Sequence, residues 1–134
     1  MLFQRTTGYT MVIMKHHSTL KSFNYAFQGL KTALKNEPHL RIHFTMAILA
    51  LIMGAILKLT TIEWLILSFT IFWVISLELL NTVIESFVSL VSPEIQPHAK
   101  IAKDVSAAVV LTAAILSVIV GLILFMPKII LLVS

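Results

Sequence analysis

Cysteine is absent from the 134-residue chain, and charged residues make up only 12% of it. Without cysteine the protein has no disulfides, no thiolate ligands for a metal and no sulfur nucleophile. The chain also lacks a glycine-rich loop that would hold a phosphate on backbone N–H groups, since its four glycines stand apart at Gly8, Gly29, Gly54 and Gly121. Any phosphate site must therefore be built from side chains.

Apolar residues are abundant instead, at 58% of the chain. A soluble domain of this size would need far more polar surface, and three apolar runs approach the ~20 residues that cross a bilayer. We predict an all-α membrane protein with an N-terminal amphipathic surface helix and three transmembrane helices. The predicted bounds are 18–37 for the surface helix and 39–57, 62–91 and 102–126 for the three spans.

The remaining residues, 1–17, show no helical period and are predicted to form an irregular tail, so that 18–134 make a single domain. In the surface helix, apolar residues such as Phe23, Phe27 and Leu34 recur at helical spacing while lysines occupy the rest of the circumference. This pattern is typical of a helix that lies in the membrane interface.

Positive charges are placed unevenly along the chain. Two lysines, Lys58 and Lys128, fall on one side of the predicted spans, and the others fall on the opposite side: Arg5, Lys15, Lys21, Lys31, Lys35, Arg41, Lys100 and Lys103. By the positive-inside rule, the N-terminus and the loop between the second and third spans are cytoplasmic. Topology thus explains the basic N-terminus, and we expect no nucleic-acid partner.

The second span carries polar groups that lipid does not tolerate without a reason. At about 100° per residue, Glu78, Asn81, Glu85 and Ser89 fall within a sector of roughly 80°. A carboxylate near the bilayer centre costs about 2.5–3.5 kcal/mol even on lenient scales. We expect this polar stripe to face protein, water or a ligand, and a bound cation would relieve the repulsion between the two acids.

Structural interpretations of these residues remain open. Glu78 and Glu85 could pair with lysines, Asn81 could be an interhelical hydrogen bond, and Lys103 could only reach toward the interface. A noncatalytic membrane subunit or an ion-conducting protein could also hold acids in a span. An ion path would need polar groups throughout the bilayer, however, and the segment 64–75 offers only Ser68 and Thr70.

The predicted topology gathers the polar residues at the cytoplasmic surface. They are Glu37, Arg41, Glu78, Asn81, Glu85, Glu94, Lys103 and Asp104. Oxygen ligands such as Glu37 and Glu85 suit Mg²⁺, a lysine at a helix N-terminus suits a transferring phosphate, and Glu78 could accept a proton from a lipid hydroxyl. The combination is typical of a nucleotide–metal site at a membrane surface.

Several sequence strings resemble one family in particular. They are ELLNTVIE at 78–85, SPE at 92–94, AKIAKDVSA at 99–107, SFNYAFQGLKTALKNE at 22–37 and RIH at 41–43. In these strings the chain closely resembles the bacterial diacylglycerol kinase and undecaprenol kinase family, over about residues 18–126. The resemblance implies a small homotrimeric kinase of the bacterial cell membrane, which phosphorylates a lipid alcohol with magnesium ATP.

The resemblance also implies residue roles. Glu78 would be the general base for the lipid hydroxyl, with Asn81 beside it and Arg41 also near the lipid. Glu37 and Glu85 would hold the divalent metal with its ATP, and Lys103 would contact the ATP phosphates. Tyr25, Glu94 and Asp104 would line the nucleotide site.

Two departures from the family pattern stand out. Ser89 replaces a usual aspartate, and Ile95 with Gln96 replaces a tyrosine–histidine pair, which puts local metal or nucleotide support in doubt. The segments LVSPE at 90–94 and HAKIAKDV at 98–105 look more like Gram-positive members, for which undecaprenol is the implied substrate. Diacylglycerol stays open, because both lipids present one hydroxyl at the interface.

Overall fold

A computed structural model describes residues 19–92 and 96–133. These residues form four helices: α1 (Thr19–Asn36), α2 (Pro38–Ile56), α3 (Thr61–Val91) and α4 (Pro97–Val133). Helices α2, α3 and α4 are each long and apolar enough to cross a membrane. The predicted all-α membrane fold with three spans and an N-terminal helix is therefore confirmed. The predicted tail and Glu94 lie outside the described residues.

Helix α1 is the surface helix of the prediction. None of its residues is buried, and it packs against the start of α2. One residue, Glu37, links the two helices and serves as the N-cap of α2, in an extended conformation. Pro38 takes the first helical position, where its missing N–H costs nothing. The chain thus turns directly from the interface into the first span.

The link between α2 and α3 is a tight turn. Lys58 adopts a left-handed conformation with φ 51°, and Thr60 and Glu63 form a capping box at the start of α3. Gly54 allows the close approach, since a Cβ there would lie 3.0 Å from Leu59 and 3.1 Å from Trp64. The short turn makes α2 and α3 antiparallel neighbours.

Helix α3 packs chiefly against α4. A small buried cluster near the α2–α3 turn joins them, formed by Leu59, Leu67, Leu124 and Phe125. Most other large apolar side chains are exposed on the single chain, as expected of helices surrounded by lipid or by other subunits. The protein has little core of its own.

Two helix lengths bear on the site. Helix α4 is longer than the predicted span of 102–126, because Pro97 suits its first turn and the residues after Met126 remain largely apolar. Helix α3 has 31 residues, about 46 Å at 1.5 Å per residue, whereas the hydrocarbon core is about 30 Å thick. Its polar C-terminal turns can therefore extend beyond the hydrocarbon.

Candidate functional site

Glu78 is the most buried charged residue among those described, with 4% of its surface exposed. Within the described residues its carboxylate makes no side-chain hydrogen bond and no ion pair. The Glu78 carbonyl accepts a hydrogen bond from Thr82 Oγ1 at 3.1 Å, which occupies only the backbone. Neither lysine pairing nor an interhelical hydrogen bond accounts for this acid among the described residues.

Asn81 lies one turn after Glu78 and connects two helices. Its Nδ2 donates to Glu85 Oε1 at 3.0 Å on the same helix. Its Oδ1 accepts from the Ser106 hydroxyl of α4 at 2.7 Å. The Ser106 hydroxyl also lies 2.9 Å from the carbonyl oxygen of Lys103. A half-buried chain of polar groups thus runs from α4 through Asn81 to the carboxylate of Glu85.

Lys103 of α4 contacts the polar stripe of α3 at Ser89, one turn beyond Glu85. Its Nζ donates to Ser89 Oγ at 2.9 Å, and Ser89 Oγ donates to the Glu85 carbonyl at 2.7 Å. Lys103 and Ser106 are three residues apart on α4, while Asn81, Glu85 and Ser89 follow at intervals of four on α3. Facing sides of the two helices therefore meet in two polar contacts.

Glu37 and Arg41 lie at the start of α2. Glu37 caps α2 through its backbone only, and its side chain makes no cap hydrogen bond. Since α2 has 19 residues and runs antiparallel to α3, its start is level with about the 19th residue of α3, near Leu79. Glu37 is thus at the same depth as the stripe, although no contact joins it to Glu85 in the described part of the chain.

The other predicted nucleotide residues are peripheral. Tyr25 on α1 is 55% exposed, and Asp104 forms an exposed ion pair with Lys100. Glu94 falls in the segment outside the described residues. The structure therefore brings together Asn81, Glu85 and Lys103, places Glu78 one turn away, and leaves Tyr25, Arg41 and Asp104 at the surface.

A family model for prokaryotic diacylglycerol kinase matches residues 24–125, which include every residue of this site. The chain belongs to the prokaryotic diacylglycerol kinase family. It is accordingly a lipid kinase, a transferase of the membrane for which ATP is the phosphoryl donor.

Known members of the family are similar over most of the chain. The undecaprenol kinase of Bacillus subtilis strain 168 is 41% identical over 108 residues, covering 81% of this chain and 88% of that protein. A diacylglycerol kinase of Synechocystis is 41% identical over 109 residues, covering 81% of this chain and 62% of that protein. The diacylglycerol kinase of Escherichia coli K12 is 32% identical over 119 residues, covering 89% of this chain and 92% of that protein.

The carboxylate oxygens of this kinase suit a hard divalent cation that also binds phosphate oxygens and water. No group of three or more acidic or histidine side chains converges in the part of the chain that the structure describes. Mg²⁺ in kinases is bound by one or two carboxylates together with phosphate oxygens and water. Glu85 Oε2 and the carboxylate of Glu37, which engage no other described side chain, fit that pattern.

The structure adds one residue that the sequence predictions gave no role, Ser106. It is buried, with 7% exposed, and it holds Asn81 from the neighbouring helix. Two sequence signals point to it: a hydroxyl inside an apolar helix, and its spacing of three residues from Lys103. Neither signal identifies its partner, because helix pairing and rotation are needed for that.

Proposed function

We propose that this kinase phosphorylates undecaprenol with magnesium ATP at the cytoplasmic face of the bacterial cell membrane. The observation that carries the proposal is the meeting of α3 and α4 through Asn81–Ser106 and Ser89–Lys103, one turn from a buried acid, Glu78, that has no side-chain partner among the described residues. That arrangement supplies a base, an anionic ligand for a metal and a cation for phosphate.

In the proposed reaction Glu78 acts as the general base. It accepts the proton of the lipid hydroxyl while the hydroxyl oxygen attacks the γ-phosphorus of ATP. The bond between that phosphorus and the bridging oxygen breaks, ADP leaves, and the lipid phosphate retains the transferred group. Among the described side chains no cation or donor contacts the Glu78 carboxylate, so its oxygens remain available to the lipid hydroxyl.

The nucleotide would lie along the stripe toward the ends of α3 and α4. Glu37 and Glu85 would hold Mg²⁺, which neutralises phosphate charge when it is bound. Lys103 would exchange its hydrogen bond with the neutral Ser89 hydroxyl for one with an ATP phosphate, which is a stronger, charge-assisted partner. Tyr25, Glu94 and Asp104 would line the nucleotide, and Arg41 would lie near the lipid with Asn81.

Undecaprenol is the first candidate substrate because the 41% identity to the Bacillus subtilis undecaprenol kinase extends over 88% of that protein. The segments LVSPE at 90–94 and HAKIAKDV at 98–105 favour the same choice. Diacylglycerol is the second candidate, since relatives from Synechocystis and Escherichia coli are diacylglycerol kinases.

The cytoplasmic position of the site follows from the charge distribution. Eight of the ten lysines and arginines belong to the N-terminal region, the start of α2 or the start of α4. The positive-inside rule places those segments in the cytoplasm, where ATP is found.

We also propose a homotrimer whose sites are shared between subunits. One reason from the sequence is that a lone subunit leaves the Glu78 stripe poorly enclosed. The single chain buries Glu78 but leaves Asn81 and Glu85 half-buried and Ser89 exposed. Further support comes from the resemblance and from the many exposed apolar side chains on α2, α3 and α4. In mixed oligomers of a Glu78 variant and a Lys103 variant, restored activity would support shared sites, and no recovery would contradict them.

Purified protein with radiolabelled ATP tests the main proposal. Undecaprenol and diacylglycerol are supplied separately in the same mixed micelles, and Glu78→Gln is the matched inactive control. We expect labelled undecaprenyl phosphate that requires Mg²⁺. Preferential labelling of diacylglycerol would replace the substrate assignment, and no labelled lipid from either alcohol would favour the noncatalytic membrane subunit.

A further inference from the structure

We propose that Ser106 is a positioning residue, which acts through Asn81 to hold the carboxylate of Glu85 in place for metal-bound nucleotide. The inference rests on the proposed function. Ser106 belongs to α4 and Glu85 to α3, so this link would also tie the metal ligand to the helix that carries Lys103.

The donors and acceptors fix the orientation of the Asn81 amide. An ionised carboxylate only accepts hydrogen bonds, so the NH₂ group must face Glu85 Oε1, which lies 3.0 Å away. The amide oxygen then faces the Ser106 hydroxyl at 2.7 Å, and that hydroxyl can donate to it. A rotated amide would instead bring two oxygens together at Glu85. Ser106 therefore favours the single orientation that supports Glu85.

The dependence between the two residues is one-sided. The Ser106 hydroxyl has a second acceptor within its own helix, the Lys103 carbonyl at 2.9 Å. Loss of the Asn81 side chain would leave the hydroxyl with this partner. Loss of the Ser106 hydroxyl, in contrast, would leave Asn81 Oδ1 without its described donor. The hydroxyl is thus needed by Asn81 more than Asn81 is needed by the hydroxyl.

Holding the Glu85 carboxylate in this way should matter more for binding metal-bound ATP than for binding the lipid alcohol. Asn81 occupies Oε1 of the carboxylate and leaves Oε2 to face a metal. Groups that orient a metal ligand typically change metal affinity or activity about 10–100-fold when they are lost. We therefore expect Ser106 to affect the use of metal-bound ATP more than the use of the lipid alcohol.

The test compares Ser106→Ala with a matched pair, Ser106→Thr and Ser106→Val. Threonine keeps the hydroxyl, and valine has nearly the same shape without it. Three quantities are measured: Mn²⁺ binding by electron paramagnetic resonance with a nonhydrolysable ATP analogue, KM for MgATP and for the lipid that the wild type phosphorylates, and the thermal unfolding midpoint in detergent.

We expect Ser106→Ala to weaken Mn²⁺ binding and raise KM for MgATP by about tenfold, with a smaller change in KM for the lipid. Ser106→Thr should restore Mn²⁺ binding relative to Ser106→Val. Because Ser106 acts through Asn81, Ser106→Ala should cause no further loss when it is added to Asn81→Ala.

If the wild-type protein is active, any one of three results would overturn the positioning role. Ser106→Ala could bind Mn²⁺ as tightly as the wild type, or Ser106→Thr and Ser106→Val could bind Mn²⁺ equally well. In the third, Ser106→Ala would cause a further loss when added to Asn81→Ala. A wild-type protein that phosphorylates no lipid alcohol would overturn the proposed function instead. The two failures are therefore distinct.

Discussion

The two ends of the α3–α4 pair treat their acidic residues in opposite ways. At the end next to the α2–α3 turn, Glu63 Oε2 accepts from the backbone N–H of Thr60 at 2.6 Å and from Lys128 Nζ at 3.0 Å. At the other end, Glu78 is buried without a side-chain partner among the described residues, and Lys103 binds a neutral hydroxyl. An acid and a cation pair across the two helices at the first end, whereas the ion pair described at the second end, Lys100–Asp104, lies within α4.

This difference separates structural from functional charge. Glu63 caps α3 and forms an ion pair with Lys128 of α4, so its carboxylate already has hydrogen-bond and charge partners within the fold. An unpaired acid in a membrane helix costs free energy, and no side chain among the described residues pairs with Glu78 to offset that cost. Of the six acidic residues, Glu63 alone lies outside the predicted site. The acidic residues of this protein are therefore concentrated in the proposed site.

Glu78→Gln should give the largest effect of any change at the unpaired end. Glutamine keeps the size of the side chain and removes a buried charge, so we expect equal or greater stability. Turnover should fall by about 10²–10⁴-fold, as is typical for loss of a general base. Thermal unfolding in detergent and lipid-kinase turnover, measured on the same sample, test both expectations.

The opposite pattern would remove Glu78 from the reaction. If the charge of Glu78 stabilised the assembly, Glu78→Gln would unfold at a lower temperature while turnover per folded molecule stayed near normal. Glu63→Gln is the matched control, since it makes the same chemical change at the paired end.

Glu85→Gln should give the next largest effect. The amide keeps an oxygen but loses the charge that attracts a divalent cation, so we expect metal-dependent ATP use to weaken by about 10–100-fold. The KM for the lipid should change little. Titration of Mg²⁺ against turnover measures the effect, and an unchanged magnesium requirement with normal turnover would show that Glu85 is not a metal ligand.

Most of the fold could be predicted from the sequence because membrane helices depend on local properties. Apolar runs located all three spans, and the helical period located α1. The extent of α4 could not be predicted as well. Pro97 and Pro127 were natural places to end a helix, yet one lies in the first turn of α4 and the other lies within it.

The candidate site was predictable only where it lies on one helix. Helical spacing was enough to place Glu78, Asn81, Glu85 and Ser89 on one face of α3, and Asn81 does bind Glu85. The contacts between helices, such as Ser106 to Asn81 and Lys103 to Ser89, depend on how α4 is rotated against α3. A hydrophobic pattern leaves that rotation undetermined.

At the paired end, Lys128→Met should lower stability without changing catalysis. The change removes the ion pair with Glu63 and leaves the capping box at Thr60 in place. Both side chains of the pair are partly exposed, so the loss should be small. We expect a lower thermal midpoint with unchanged turnover per folded molecule, and a selective loss of turnover would show that this end also takes part in the reaction.

Ser89→Asp should give the smallest effect. It would introduce an ion pair with Lys103 between α3 and α4, like the Glu63–Lys128 pair at the other end. An aspartate would accept the Lys103 ammonium that now binds the Ser89 hydroxyl, and it would stand one turn from Glu85. Exposed ion pairs contribute little, so competition for Lys103 should raise KM for MgATP by at most about fivefold. The increase should shrink in high salt, which screens exposed charges, and Ser89→Asn, of similar shape without the charge, should not show it. If Ser89→Asn raised KM as much as Ser89→Asp, or if salt had no influence, the shape of residue 89 rather than its pairing with Lys103 would govern the use of ATP.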